Sequence, residues 1–364
     1  MKLMYLANIR FPTERAHGVQ IAKMCEAFSD AGTTVTLVVP NRAISISENP
    51  YEYYGVKPNF EIVKIGGIEN PQSRIGYVIS YVKFVLQLPS FCLKNRAEVF
   101  YSRDESIVFI LSLFGIKAVW EAHGWKNNLF TIYFLNKVKG IVAITHMAKK
   151  RFVENSVSEQ KIIVAPDGVD ESLIQNKIDK NFARKKLGLP AQGTYAFYIG
   201  SLSDWKGYKT LLQCARMLED LSVKVVIVGG IVEKLQKEFP NVIFMNFVPY
   251  KELATVQAAA DILVIPNSAK SIVSTEYTSP LKLFAHMASG RPIIASNLPS
   301  LREVLDEETA YFFEPDSPES LAKTIRYVAS HSSEANEKAN AALTKVWEYT
   351  WKERASRILS FIRI

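Results

Sequence analysis

The 364 residues are 48% hydrophobic and 22% charged, with 17 Gly and 16 Pro, chain enough for about two globular domains at roughly 100–200 residues each. That balance excludes a disordered, collagen-like or disulfide-stapled chain. Cys25, Cys92 and Cys214 are far apart, show no metal or redox spacing, and read as free thiols in a reducing compartment. The formal charge of +8 divides unevenly: residues 1–168 carry 20 Lys+Arg against 14 Asp+Glu, the remainder 24 against 22. A basic first half suits an anionic membrane surface or an acidic acceptor, and equally an ordinary solvated surface. Nucleic acid is not an expected partner, since no dense basic run is interleaved with aromatics.

The longest apolar stretch, residues 107–120, is 14 residues with Lys117 inside it, too short to cross a bilayer. The first residues lack a signal-peptide core and read as a buried strand. Cytoplasmic placement is the expectation, at most peripheral at the inner face of the cell membrane.

Short apolar runs alternate with helical-period segments along the whole chain, the pattern of parallel sheets covered by helices. Strands are predicted at 3–7, 34–39, 61–65, 99–102, 118–121, 140–144 and 161–164. A helix over 18–31, closed by Gly32, carries Ile21, Met24, Cys25 and Phe28 on one face. Residues 77–94 read either as an exposed amphipathic segment or as a buried helix, with Pro89 breaking any long helix. The rhythm stops at Pro166-Asp167-Gly168-Val169-Asp170 and restarts with strands at 195–200, 223–228, 242–244, 262–265, 292–295 and 310–313. The predicted domains are therefore 1–168, a linker 169–190, 191–348, and a closing helix 349–364 with Trp351, Ile358, Leu359 and Ile362 as its apolar face. The fold class is α/β: two Rossmann-like doubly wound domains with a ligand cleft at the carboxyl ends of the strands.

Three stretches carry chemistry. In Thr278-Ser279-Pro280-Leu281-Lys282, Ser279 suits an N-cap and Pro280 the first helical position, with Gly290 past the end. Such a terminus offers backbone N–H groups to an anion, Lys282 adding charge; a merely well-capped helix is the plainer reading. In Gly200-Ser201-Leu202-Ser203-Asp204-Trp205-Lys206-Gly207, a strand ends in a loop whose Lys206 suits a phosphate oxygen, or is a solvated lysine. Neither a Walker pattern nor the three-glycine dinucleotide fingerprint is present. In Trp120-Glu121-Ala122-His123-Gly124-Trp125, His123 follows a buried strand at the end where α/β sites form, although a lone histidine is often structural.

Taken in order, these stretches resemble the GT-B glycosyltransferases of the retaining family four, over essentially the whole chain. The Gly18 loop, the turn at Pro166, the Gly200 loop with Trp-Lys-Gly and the closing Thr-Trp-Lys-Glu-Arg helix carry the likeness. The resemblance implies transfer of a sugar, with retained configuration, from a nucleotide diphosphate sugar to a glycan, glycolipid or other acceptor. No cofactor and no metal are implied. Lys206 would neutralise the donor diphosphate, backbone groups from Ser279 to Lys282 would hold its distal phosphate, and His123 would bond the donor sugar. Val248 and Pro249 would meet the nucleobase, and the loop from Asn8 to Gly18 would face the acceptor. His17 in that loop reads as a contact to acceptor or phosphate or as a solvated histidine, and Arg103, at a strand end, reads as facing the acceptor cleft or as an ion pair with Asp104 or Glu105.

Three positions depart from the family pattern. Its two glutamates, eight positions apart, fall here on Tyr277 and Ala285, with Glu276 beside the first and taken as its stand-in. Ser201 stands where an Arg is usual. Ala285 lacks a ribose-binding carboxylate, a loss of about 1.5–3 kcal/mol, or roughly ten- to a hundredfold in donor binding. Natural drift, a non-catalytic relative and a deliberate replacement each explain it, so a GT-B binding or scaffold protein is the alternative reading. Among other residues, His286 reads as packed or exposed, and His146 and Lys149 as surface. The run Asp306-Glu307-Glu308 reads as a loop, because adjacent carboxylates do not converge on one ion.

Overall fold

A computed structural model describes residues 1–42, 46–68, 73–124, 128–218 and 223–363. Trp125, which ends the third stretch above, lies outside the described residues. The chain divides into two compact units: unit 1 is Met1–Pro166 with Trp351–Ile364, and unit 2 is Asp167–Thr350.

Unit 1 is built on seven parallel strands, β1 (Lys2–Leu6), β2 (Thr34–Pro40), β3 (Glu61–Ile65), β4 (Val99–Ser102), β5 (Ala118–Ala122), β6 (Gly140–Ala143) and β7 (Ile162–Val164). Their order is β3-β2-β1-β4-β5-β6-β7. All but the edge strand β3, whose Glu61 and Lys64 are exposed, are short, largely apolar runs, because helices cover both faces of a parallel sheet. The order reverses at β1, whose residues pair with β2 on one side and β4 on the other. That reversal opens a crevice beyond the strand ends, where α/β ligands bind.

Unit 2 repeats the plan with β8 (Thr194–Ile199), β9 (Val223–Val228), β10 (Val242–Met245), β11 (Ile262–Ile265), β12 (Ile293–Ser296) and β13 (Tyr311–Phe313), in the order β10-β9-β8-β11-β12-β13. Here the reversal falls at β8, flanked by β9 and β11. All thirteen strands lie within a residue of the sequence prediction. Residues 169–190, read from sequence as a linker, carry the helices Glu171–Gln175 and Lys180–Lys186. Their Ile174 and Ala183, with Leu189, are buried in unit 2's apolar clusters.

The helix Ala16–Asp30 buries Ile21, Met24, Cys25 and Phe28 completely. The closing helix Trp351–Arg363 packs against it within unit 1, burying Trp351, Ile358, Leu359 and Ile362 as expected, and also Arg354.

The predicted break at Pro89 does not occur. One helix runs Arg74–Lys94 straight through it. Proline inside a helix costs about 3 kcal/mol through its missing N–H. Here that cost is offset by a face on which Phe84, Val85, Leu88, Pro89 and Cys92 are all buried. This helix is long and apolar enough to cross a membrane by length and composition. The sequence reading missed that because it expected Pro89 to break any long helix here. In the fold its inner face belongs to the core of unit 1, while Ile75, Val78, Leu86 and Leu93 are exposed.

Candidate functional site

In unit 1 the loops after β1, β2, β4 and β5 close around a cavity of about 610 Å³. Arg10, Arg15, Arg42, Arg103, His17 and His123 line it, with Asp104 the one carboxylate among the lining residues. Asp104 is itself engaged, accepting the Asn8 N–H at 2.7 Å. Arg42 donates to Asn8 Oδ1 at 2.8 Å and Arg103 to Gln20 Oε1 at 2.9 Å, so both guanidiniums are held in place. Burial, reinforced by Arg103 and Arg15, pushes the His17 pKa down to about 4 and keeps its ring neutral at pH 7.

Beneath this cavity sits a residue the sequence reading passed over. Glu121, on β5, is fully buried. Its Oε1 accepts from Gln20 Nε2 at 2.6 Å and meets His123 Nε2 at 2.6 Å. Its Oε2 accepts from the Tyr101 hydroxyl at 2.5 Å and from Arg354 at 3.2 Å. Although burial works against the charge, Arg354 and His123 hold this carboxyl well below the usual range. Since the carboxylate can only accept, His123 donates from Nε2 and its orientation is set, leaving Nδ1 for a ligand. A charged residue inside the apolar β5 run was the signal that could have found it.

The three residues predicted from sequence to face the acceptor separate. Arg103 and His17 line the cavity. Gly18 is buried in the helix, where an added Cβ would come within 2.3 Å of the Tyr54 hydroxyl and 2.6 Å of Thr13 Cγ2. It lets the Tyr54 hydroxyl approach and bond Thr13, accepting at 2.7 Å from its N–H and donating at 2.9 Å to its carbonyl.

In unit 2 the corresponding place is the end of β8. Tyr198 donates its hydroxyl to Ser201 O at 2.7 Å, and Lys206 Nζ donates to Ser201 Oγ at 2.8 Å. From the other side Lys282 brings its ammonium to 4.6 Å from the centre of the Tyr198 ring. That ammonium is buried and has no hydrogen-bond partner among the described residues. Burial, and then the charge of Lys206, pulls the Lys282 pKa well down, while burial alone lowers that of Lys206. Two lysines, one half-buried and one with its ammonium buried, meet around one strand end, and an unpaired buried charge costs free energy until a counter-charge arrives. Gly207 makes the loop possible: its φ is +69°, and a Cβ there would lie 1.6 Å from the Pro266 carbonyl oxygen.

Ser279 is not the N-cap. The helix Leu281–Ala288 is capped by Pro280, because the Ser279 hydroxyl is spent accepting the Asp167 N–H at 2.9 Å. Thr278 and Tyr277 are buried just before it. Glu276 ends the short helix Ile272–Thr275 and is half-buried. Ala285 is 2% exposed in an apolar cluster with Leu283, Phe284 and Met287. His286 is buried, bonded to Gln257 at 2.9 Å, with a pKa pushed down to about 3 by burial. Val248 and Pro249 follow β10, where Val248 packs on the apolar cluster and Pro249 precedes a short turn of helix. Asp306 pairs with Lys345 and Glu307 with Arg302, which separates those carboxylates rather than gathering them.

Family models match both units: "Glycosyltransferase Family 4" over residues 17–173 and "Glycosyl transferases group 1" over 193–331. The chain is 21% identical over 355 residues to a putative teichuronic acid biosynthesis glycosyltransferase of Bacillus subtilis, covering 89% of this chain and 88% of that one. It is 24% identical over 199 residues to a D-inositol 3-phosphate glycosyltransferase of Corynebacterium urealyticum. That match takes in 50% of this chain and spans only 45% of the relative's length. Among solved structures, sucrose-phosphate synthase of Thermosynechococcus elongatus superposes with a TM-score of 0.80 at 17% identity, covering 100% of this chain and 98% of that one. HepE of Anabaena, solved with UDP and glucose, superposes at 0.76 and 14% identity, with 99% of each chain covered. Two Rossmann-like units, two matched family models and these superpositions agree, and the chain is a GT-B glycosyltransferase belonging to family 4.

Proposed function

We propose that the protein transfers a sugar, with retained configuration and without a metal, from a nucleotide diphosphate sugar to a glycan or lipid-linked acceptor in surface polysaccharide or glycolipid assembly. The observation that carries the donor half is the pair Lys206 and Lys282 around Tyr198 and Ser201. Ser201 removes the cation usual at its position. Lys282 supplies another from a different element, so the site keeps two positive charges for two phosphates.

The chemistry follows from where charge develops. As the bond between the sugar's anomeric carbon and the diphosphate oxygen breaks, the electron pair leaves with the diphosphate. Fixed ammonium groups in a dry pocket stabilise that charge more than water does. The acceptor hydroxyl oxygen forms the new bond on the same face, and its proton passes to the departing phosphate oxygen. His123, oriented by Glu121, bonds a sugar hydroxyl through Nδ1. Ala285 offers no polar atom to the ribose, so the diphosphate is the donor's main anchor. In this reading, Glu276 and the backbone from Tyr277 to Lys282 border the phosphates, and Val248 and Pro249 border the base. The relative named a putative teichuronic acid biosynthesis glycosyltransferase supports the acceptor half of this reading.

The test is nucleoside diphosphate release and calorimetric binding over UDP-, GDP-, ADP- and dTDP-sugars. One donor is expected to bind, with Lys206→Gln weakening it roughly ten- to a hundredfold. No binding of any donor by the intact chain overturns the proposal in favour of a scaffold protein.

A further inference from the structure

Resting on that reading for the acceptor side, we infer that the acceptor is a lipid phosphate, with its phosphate in the arginine cavity of unit 1 and its hydrocarbon chain in the apolar groove beside it. The cavity commits four guanidiniums against one carboxylate that is already hydrogen-bonded. Glu14 stands close enough to Arg10 and Arg15 for each to lower its pKa, but it is exposed and does not line the cavity. Arginine forks match phosphate oxygens in two parallel bonds, which a neutral glycan does not call for. His17, kept uncharged first by burial and then by Arg103 and Arg15, adds a hydrogen-bonding ring without further repulsion.

The groove adjoins this cavity along two chain segments. Tyr77 lines the cavity, and Tyr81, one turn further along the same helix, lines the groove. Asp104 faces the first, and Glu105 and Ser106 face the second. The groove measures about 410 Å³ and is walled chiefly by Val82, Leu86, Phe109 and Phe130. Phe109 meets Phe130 edge to face at 5.1 Å. Leu86 is 61% exposed and Phe130 63%, a cost in water that a hydrocarbon chain removes at about 25 cal/mol per Å² covered. A phosphate site opening onto an apolar trough is complementary to an amphiphile with both parts joined. A free sugar phosphate would leave the trough in water, and a bare hydrocarbon would leave the arginines unpaired.

Calorimetry with farnesyl phosphate below its micelle concentration, farnesol and inorganic phosphate tests this. Farnesyl phosphate is expected to bind at least tenfold more tightly than either fragment. Arg10→Gln and Arg103→Gln should each weaken it about tenfold. Leu86→Ser with Phe130→Ser, both on exposed side chains, should reduce it to the affinity of inorganic phosphate while leaving the melting temperature unchanged. Equal binding of farnesyl phosphate and phosphate overturns the groove's part, and equal binding of farnesol overturns the cavity's part. Binding lost in Lys206→Gln but kept in Arg10→Gln moves the phosphate to unit 2 and overturns the inference. So does association with phosphatidylglycerol vesicles without binding of farnesyl phosphate, which makes the patch a bilayer contact. Each of these failures leaves donor-dependent nucleoside diphosphate release untouched, so the proposed function stands or falls separately.

Discussion

The two units place cations at the same topological point in different ways. In unit 1, at the reversal beside β1, four arginines line a wide cavity, with Arg42 and Arg103 tied to amide oxygens of neighbours. In unit 2, at the reversal beside β8, two lysines meet at one strand end, one of them with no hydrogen-bond partner among the described residues and an aromatic face beside it. The first arrangement tolerates emptiness because water and neighbouring amides share the charge. The second is strained until filled. A site that must release a ligand after each turnover suits the first, and a site that must stabilise charge as it forms suits the second.

The largest effect that would test this contrast is at Glu121. Its carboxylate binds four donors in unit 1, and Glu121→Gln should cost about 3–5 kcal/mol, as breaking a buried pair does. Chemical denaturation with separate probes for each unit would show the loss in unit 1. A loss below about 1 kcal/mol would mean the network is not what orients His123.

Next comes the strain at Lys282. Lys282→Met should raise the stability of the ligand-free protein by about 1–3 kcal/mol, the cost of an unsatisfied buried polar group, while weakening nucleotide diphosphate binding. Thermal unfolding with and without nucleotide reads both. A variant that loses stability without ligand would show that the ammonium is satisfied in the empty site.

The smallest effect separates half-buried His17 from buried His286 by acid. His17 and His286 have pKa values of about 4 and about 3 in the fold, below the ordinary 6.5. Between those values and 6.5 the unfolded chain binds more protons, so stability rises with pH. It is fully present above about pH 6.5 and lost as the pH falls toward 4 for His17 and toward 3 for His286. In His286→Gln the melting temperature should fall less steeply than in the parent over this window. Parallel curves would place a proton on His286 in the folded state.

How much of this was legible in advance depends on the range of the interaction concerned. The thirteen strands and the two-unit plan follow from short-range pattern, since an apolar run between turn residues is a local property. Lys206 and Lys282 were legible as residue types beside a strand end and a helix start. Their convergence on Tyr198 was not, since they lie 76 positions apart in the chain. Ser279 had the composition of a cap but was claimed by the distant Asp167 N–H, and local composition does not reveal competing partners. Pro89 was misread for the same reason: its local cost is written in the sequence, while the burial that offsets it is not.

The sequence by itself determined the class of fold, the positions of its strands along the chain and the residue types at each strand end, because these rest on periodicity and turn chemistry. The tertiary structure alone decided which charges meet. It buried Glu121 beneath His123 and brought Arg354 to it from 233 positions away. It also set four arginines from three loops around one cavity. The physical reason is that sheet order, not chain order, places strand ends side by side, and electrostatics acts through that space.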